Sequence, residues 1–276
     1  MSERDGYQHG VPCWVDTGQP DAQAAVGFYT ELFGWEVENA MPADSEGTYF
    51  MCRLRGRDVA AVGSQPPEAG PPVPVWNTYI WVESADDTRA KVTDAGGSVV
   101  MEPFDVLDAG RMAVMSDPSG AVFSVWQANA HQGARLVNEP GAWSMNMLNT
   151  RDPEGAKAFY GAVFGWETEA FDLGGAPITL WRLPGYVGGE PQQPVPRDVV
   201  GVMAPMTSDG FPDDVPSHWS VDFWVDDVDA AADTAARLGG KVIAPPYEIP
   251  GAPMRQAVLA DPAGATFSVT RVGPPV

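Results

Sequence analysis

Apolar residues recur along this chain with two alternating periods, and the order of those periods itself repeats. Residues DAQAAVGFYTELFG (21–34) put Ala25, Phe28, Tyr29, Leu32 and Phe33 on one face of a helix, which Gly34 stops. Before it, WVDT (14–17) reads as a short strand. After it, WEVENA, TYFMCRL and DVAAVGS read as three more, each bounded by turn or loop residues. Beyond a proline-rich loop, QPPEAGPPVPV (65–75), the order returns: strand NTYIWVE, helix ADDTRAKVTDAG (85–96), then strands GSVVMEPFDV, GRMAVMSD and AVFSVWQ. The second half repeats both units, from MNMLN and the helix in DPEGAKAFYGAVFG to DAAADTAARLGG, GKVIAPPYEI, RQAVLAD and TFSVT. Four copies of a β-α-β-β-β unit therefore make up the chain, and FYTELFGWEVE (28–38) returns as FYGAVFGWETE (159–169).

Two such units side by side predict a curved, mostly antiparallel sheet with helices on its outer face, so that the inner face forms a cup. The expected fold class is α+β, with two tandem domains at 1–130 and 142–276 and a connector at 131–141 whose Gly, Asn and Pro content marks it as linking chain. A length of 276 residues is enough for two hydrophobic cores.

Composition narrows the partners. With 44% hydrophobic and 19% charged residues the chain reads as a soluble globular protein, and no apolar run approaches the roughly 20 residues of a membrane span. The opening MSERDGYQHG lacks a basic segment followed by an apolar one, so the expected location is the cytoplasm. A formal net charge of -21, with no Lys/Arg run, argues against nucleic acid or an anionic membrane as partner. Two cysteines, Cys13 and Cys52, are too few for a disulfide framework and read as small buried hydrophobes. No GxSxG elbow, phosphate-cradling glycine loop or Cys–His pair is present.

The motifs FYTELFGW and FYGAVFGW, the Gly-Gly pairs at 96–97 and 239–240, and the closing DPSGAVFSV and DPAGATFSV resemble the vicinal oxygen chelate superfamily of glyoxalases, bleomycin-resistance proteins and extradiol dioxygenases. The likeness covers nearly the whole chain. More narrowly, GVPCWVDT, WNTYIWVESAD and GARLVNEPGAW resemble tandem actinobacterial members labelled glyoxalase-like or hydroxylase. The superfamily hosts lyases, transferases, oxygenases and pure binders on one scaffold, so the resemblance implies the fold more firmly than the activity. Its metal-using members hold a His or Glu on the first strand, on the strand opening the second unit and on the last strand. Here those points fall on Trp14, Asn77 and Ser124 in the first half, and on Met145, Ser220 and Ser268 in the second. None supplies an imidazole or a carboxylate. The three histidines lie elsewhere: His9 before the first strand, His131 in the connector, and His218 two residues before Ser220. The expectation is no metal and no cofactor.

Period-two alternation sets Trp14 with Asp16, Asn77 with Tyr79 and Trp81, and Ser124 with Trp126 on the inward face of the first cup. The matching set in the second is Met145, Met147, Ser220, Asp222, Trp224, Ser268 and Thr270. The first cup is the more aromatic and suits a planar molecule, which makes it the expected binding half. Asp16, the one inward carboxylate there, is the candidate general acid or base, or else a partner for a nearby backbone group or Tyr79. Trp76 and Trp219 fall to the helix-facing core, and Arg111 and Arg255 to surface ion pairs. Three readings stay open: a metal-free binder of a small planar molecule, a lyase or hydroxylase-type enzyme, and a structural or regulatory module whose cups are self-filled. Tandem halves imply a monomeric pseudo-dimer or a homodimer.

Overall fold

The computed structural model describes residues 3–65, 73–172, 177–188, 195–207 and 211–273, so residues 66–72 of the proline-rich loop lie outside the described residues. The first half runs β1 (Pro12–Gln19), α1 (Ala22–Phe33), β2 (Glu36–Asn39), β3 (Tyr49–Leu54), β4 (Arg57–Ser64), β5 (Val75–Trp81), α2 (Ala85–Asp94), β6 (Ser98–Val106), β7 (Gly110–Ser116) and β8 (Val122–Ala128). The second runs β9 (Trp143–Thr150), α3 (Pro153–Phe164), β10 (Glu167–Asp172), β11 (Pro177–Arg182), β12 (Val199–Pro205), β13 (His218–Trp224), α4 (Val228–Arg237), β14 (Lys241–Glu248), β15 (Met254–Ala260) and β16 (Thr266–Val272).

Each half is one eight-stranded mixed sheet, ordered β2-β3-β4-β1-β5-β8-β7-β6 and β10-β11-β12-β9-β13-β16-β15-β14. The central strands β1 and β5 pair antiparallel, while β1 with β4 and β5 with β8 pair parallel. The equivalent pairs of the second sheet follow the same pattern. Local chemistry sets the helix ends. Asp21 and Asp152 cap α1 and α3 by accepting the N–H of Ala24 and Gly155, and Gly34 and Gly165 close them in the left-handed region at φ 73° and 72°.

The repeated FYxxxFGW stretch builds the joint between the halves. Phe28, Tyr29, Phe33 and Trp35 pack in one core with Phe223 and Phe267 of the other half, and Phe159, Tyr160, Phe164 and Trp166 pack in a second with Ile80, Met115 and Phe123. Polar contacts repeat the same exchange. The Tyr29 hydroxyl donates to Asp261 Oδ2 at 2.9 Å, and that of Tyr160 to Asp117 Oδ2 at 3.3 Å. Trp35 Nε1 donates to the Gly141 carbonyl and Trp166 Nε1 to that of Gly10, both at 2.7 Å. Gly10 and Gly141 share φ 83°, and a Cβ there would press on the carbonyls of Phe164 and Phe33. Removing one of these buried rings would cost about 3–5 kcal/mol. The motif is thus a docking device between halves, and it leaves the opposite face of each sheet free to form a cup.

Candidate functional site

Strand register makes the two cups equivalent point for point. In the first, Trp14 pairs with Tyr79, Asp16 with Asn77, Tyr79 with Ser124 and Trp81 with Trp126. In the second, Met145 pairs with Asp222, Met147 with Ser220, Asp222 with Ser268 and Trp224 with Thr270. The inward sets expected from alternation are therefore brought together, each around its own central strand pair.

The first set packs on itself. Trp14, Asp16, Tyr79, Ser124 and Trp126 are buried. The Asp16 carboxylate accepts the hydroxyls of Tyr79 at 2.8 Å and Tyr49 at 2.9 Å through Oδ2, and Asn77 Nδ2 at 2.8 Å through Oδ1. Trp14 Nε1 donates to Tyr49 Oη at 3.0 Å. The connector closes over this group: the His131 ring stands edge-on to Trp14 with centroids 4.5 Å apart, and its carbonyl accepts Trp126 Nε1 at 3.0 Å. Burial raises the Asp16 pKa against the opposing pull of its three donors, and lowers that of His131, which keeps the ring neutral against the two indoles. Burial and the Asp16 charge together hold Tyr49 and Tyr79 protonated. Trp81, half-buried, lies against Tyr7.

The second set surrounds open space. Met145, Met147, Ser220, Asp222, Trp224 and Ser268 are half-buried and line a cavity of ≈ 220 Å³ with Ser144, Phe171, Ile178, Val202, Met254 and Gln256. The more aromatic first half was the expected binding half, and the open cavity among these two sets lies in the second. Trp14, Tyr79 and Trp126 occupy their own cup, whereas Met145, Asp222 and Thr270 at the matching points leave a hollow. Asp222 is the ionisable residue of this lining. Its Oδ1 accepts Thr270 Oγ1 at 2.6 Å and Gln256 Nε2 at 3.4 Å, and its Oδ2 accepts Ser144 Oγ at 2.9 Å. Burial pushes the carboxyl up to about 6, against the pull of these donors.

Alternation alone misses Ser144, one residue out of step with Met145. The register slips between Asp222 and Phe223, which pair with Met145 and Trp143, so Ser144 is the extra residue of a β-bulge that turns its hydroxyl to the carboxylate. Also missed were Phe171 and Ile178, which reach the cavity from the far edge of the sheet, and Gln256, from β15. No signal local to the central strands could have named them. His218 stays apart, with Nδ1 by the Pro216 carbonyl and Nε2 by Asn149. Trp76 and Trp219 face the helices and donate to Tyr29 and Tyr160, and Arg111 and Arg255 pair with Asp86 and Asp229 on the surface.

Two family models match the chain: the glyoxalase/bleomycin resistance protein/dioxygenase superfamily over residues 14–125, and a glyoxalase-like domain over 145–270. The chain belongs to the glyoxalase/bleomycin resistance protein/dioxygenase superfamily. It is 43% identical over 278 residues to a Mycobacterium tuberculosis protein named "Putative glyoxylase CFP32", covering 99% of both chains. With the anthracycline biosynthesis protein DnrV of Streptomyces peucetius it shares 34% identity, over 96% of this chain and 94% of that one. In fold it is similar to the Mn(II)-bound glyoxalase of Novosphingobium aromaticivorans (TM-score 0.63, 17% identity, 96% of this chain and 82% of that one). It is also similar to 2,2',3-trihydroxybiphenyl 1,2-dioxygenase of Sphingomonas wittichii (TM-score 0.61, 14% identity, 98% and 92%). Metal-using members of the superfamily need imidazole or carboxylate donors, and the residues here do not fit that need. An indole, a thioether, an amide and three hydroxyls stand at the six points, and among the described residues no three His, Cys, Asp or Glu side chains gather. No helix of the described residues is long and apolar enough to cross a membrane.

Proposed function

We propose that this protein binds a small, planar organic molecule without a metal, and that the cup of the second half is its site. The carrying observation is the 220 Å³ cavity around Asp222 and Trp224, set beside a first cup that its own side chains fill. An apolar cavity of about 150 Å³ takes a benzene ring, so this one suits one or two fused rings, or one end of a larger molecule. Met145, Met147 and Met254 supply polarisable contacts to a ring, and Trp224 a face for stacking. A relative named for anthracycline biosynthesis supports the same ligand class, since anthracyclines are built on fused planar rings. In this reading the first half is scaffold, and Asp16 holds its tyrosines rather than moving protons.

Calorimetric titration of chelator-treated protein with 1-naphthalenemethanol tests the proposal. The expected result is saturable one-to-one binding, with Kd between roughly 10 µM and 1 mM for so small a ligand, unchanged by added divalent ions. Binding that appears only after such ions are added would contradict it. One observation favours a second reading, a proton-transferring lyase: a cavity carboxyl held up to about 6 is suited to general acid–base work. Hemithioacetal isomerisation by the metal-stripped protein, lost in Asp222→Asn, would move the assignment there.

A further inference from the structure

The charge pattern of this cavity says more than its shape. Among the described residues that line it there is no Lys, Arg or His, and one carboxylate, Asp222. Three donors hold that carboxylate from the protein side: Thr270, Gln256 and Ser144. An ionised carboxylate offers about four acceptor sites, so capacity remains on the side that faces the cavity. The donors are neutral, and none cancels its charge. Facing groups on the neighbouring strands of this sheet fit this account. Strand β9 brings Ser144 and Met145, β16 Ser268 and Thr270, and β15 Gln256. Tyr247 of β14, whose hydroxyl donates to Gln256 Oε1, is the further titratable group, and burial and the Asp222 charge keep it protonated. The neighbouring cation, Arg255, alternates to the other face, where Asp229 and Glu248 bind it. Around the site lies a protein of net charge -21, whose field draws cations and repels anions.

Building on the reading of this cup as a ligand site, we propose that it selects an organic monocation: a planar aromatic ring carrying a basic alkylamine, whose N–H the Asp222 carboxylate receives, with the ring held among Trp224, Met145 and Met147. An anion would find no partner and one repelling charge. A neutral ring would gain the apolar contacts but not the charge-assisted bond. Such a ligand also supplies the cation that the buried carboxylate lacks within the protein.

Three probes of one shape test this: 1-naphthylmethylamine, 1-naphthalenemethanol and 1-naphthoate, titrated at low ionic strength near pH 7.5. The amine should bind at least about tenfold more tightly than the alcohol, the worth of one charge-assisted hydrogen bond, and the naphthoate at least about tenfold more weakly. In Asp222→Asn the amine and the alcohol should fall within about threefold of each other. Should that variant fail to fold, the wild-type protein gives the same answer. The amine is protonated throughout the range from about pH 7.5 to about 5, so its advantage should fade toward pH 5 as Asp222 takes a proton. An amine no tighter than the alcohol, or an advantage that survives both Asp222→Asn and low pH, overturns the proposal while leaving the cavity a binding site. Binding of none of the three overturns both.

Discussion

The two cups share one strand register and differ in what projects into it. Where the first has Trp14, Tyr79 and Trp126, the second has Met145, Asp222 and Thr270. Both hold a carboxylate among neutral donors, but at different points: Asp16 on β1 in the first, Asp222 on β13 in the second. Asp16 is enclosed by two tyrosines and an asparagine, whereas Asp222 stands at the wall of a hollow. Wide side chains fill the cup they line, so aromatic content measures occupancy by the protein itself before it measures affinity for a guest. Duplication gave one scaffold twice; divergence at five of the seven matched inward positions accompanies a core in one half and a cavity in the other.

Substitution can break this comparison at several points. Trp126→Ala should cost about 3–5 kcal/mol in urea unfolding, because it empties a packed cup, while Trp224→Ala at the equivalent of Trp81 should cost about 1 kcal/mol and weaken ligand binding instead. Equal costs would mean that the halves are filled alike. Asp16→Ala strands the hydroxyls of Tyr49 and Tyr79 and the Asn77 amide, for a loss of about 3 kcal/mol read from the same unfolding curves. Ligand affinity of the folded Asp16→Ala fraction should not move.

Asp222 predicts a change of opposite sign. Its pKa is about 6 in the folded chain and nearer 4 once unfolded, so between those values the folded state holds more protons than the unfolded one. Its contribution to stability is therefore fullest below about pH 4 and declines as pH rises through about 6, by roughly 3 kcal/mol in all. Asp222→Asn removes that decline. Its melting temperature should exceed that of the wild type near pH 7.5 and match it near pH 4; a variant less stable at both would show that the carboxylate is a structural necessity like Asp16. The smallest effect on stability is expected from Met145→Trp, which copies the first cup into the second. It should change unfolding free energy by no more than about 1 kcal/mol, since the indole enters open space, and lower affinity for 1-naphthalenemethanol at least about tenfold.

Much of this arrangement is readable in the chain itself. Helix boundaries follow from Asp21, Gly34, Asp152 and Gly165, which act within one turn of themselves, and the inward sets follow from strand alternation about Asp16 and Asp222. What could not be read depends on distant parts of the chain. Tyr29 and Tyr160 carry the signature of core residues, but nothing near them says that their partners are Asp261 and Asp117 of the opposite half. His131 sits in a segment marked only as linking chain, yet it closes the first cup. Ser144 enters the site through a bulge that breaks the alternation used to find it. Volume was the deepest omission, because whether a cup is full depends on all its walls at once, including Phe171 and Ile178 from the sheet edge.

One crystallographic measurement decides between the halves: the anomalous signal of bromine in crystals soaked with 4-bromo-1-naphthylmethylamine. The account predicts a single strong peak in the second cup, with the ring beside Met145 and Trp224 and the amine at Asp222. A peak against Trp14 and Trp126, reached by displacing His131, would contradict it.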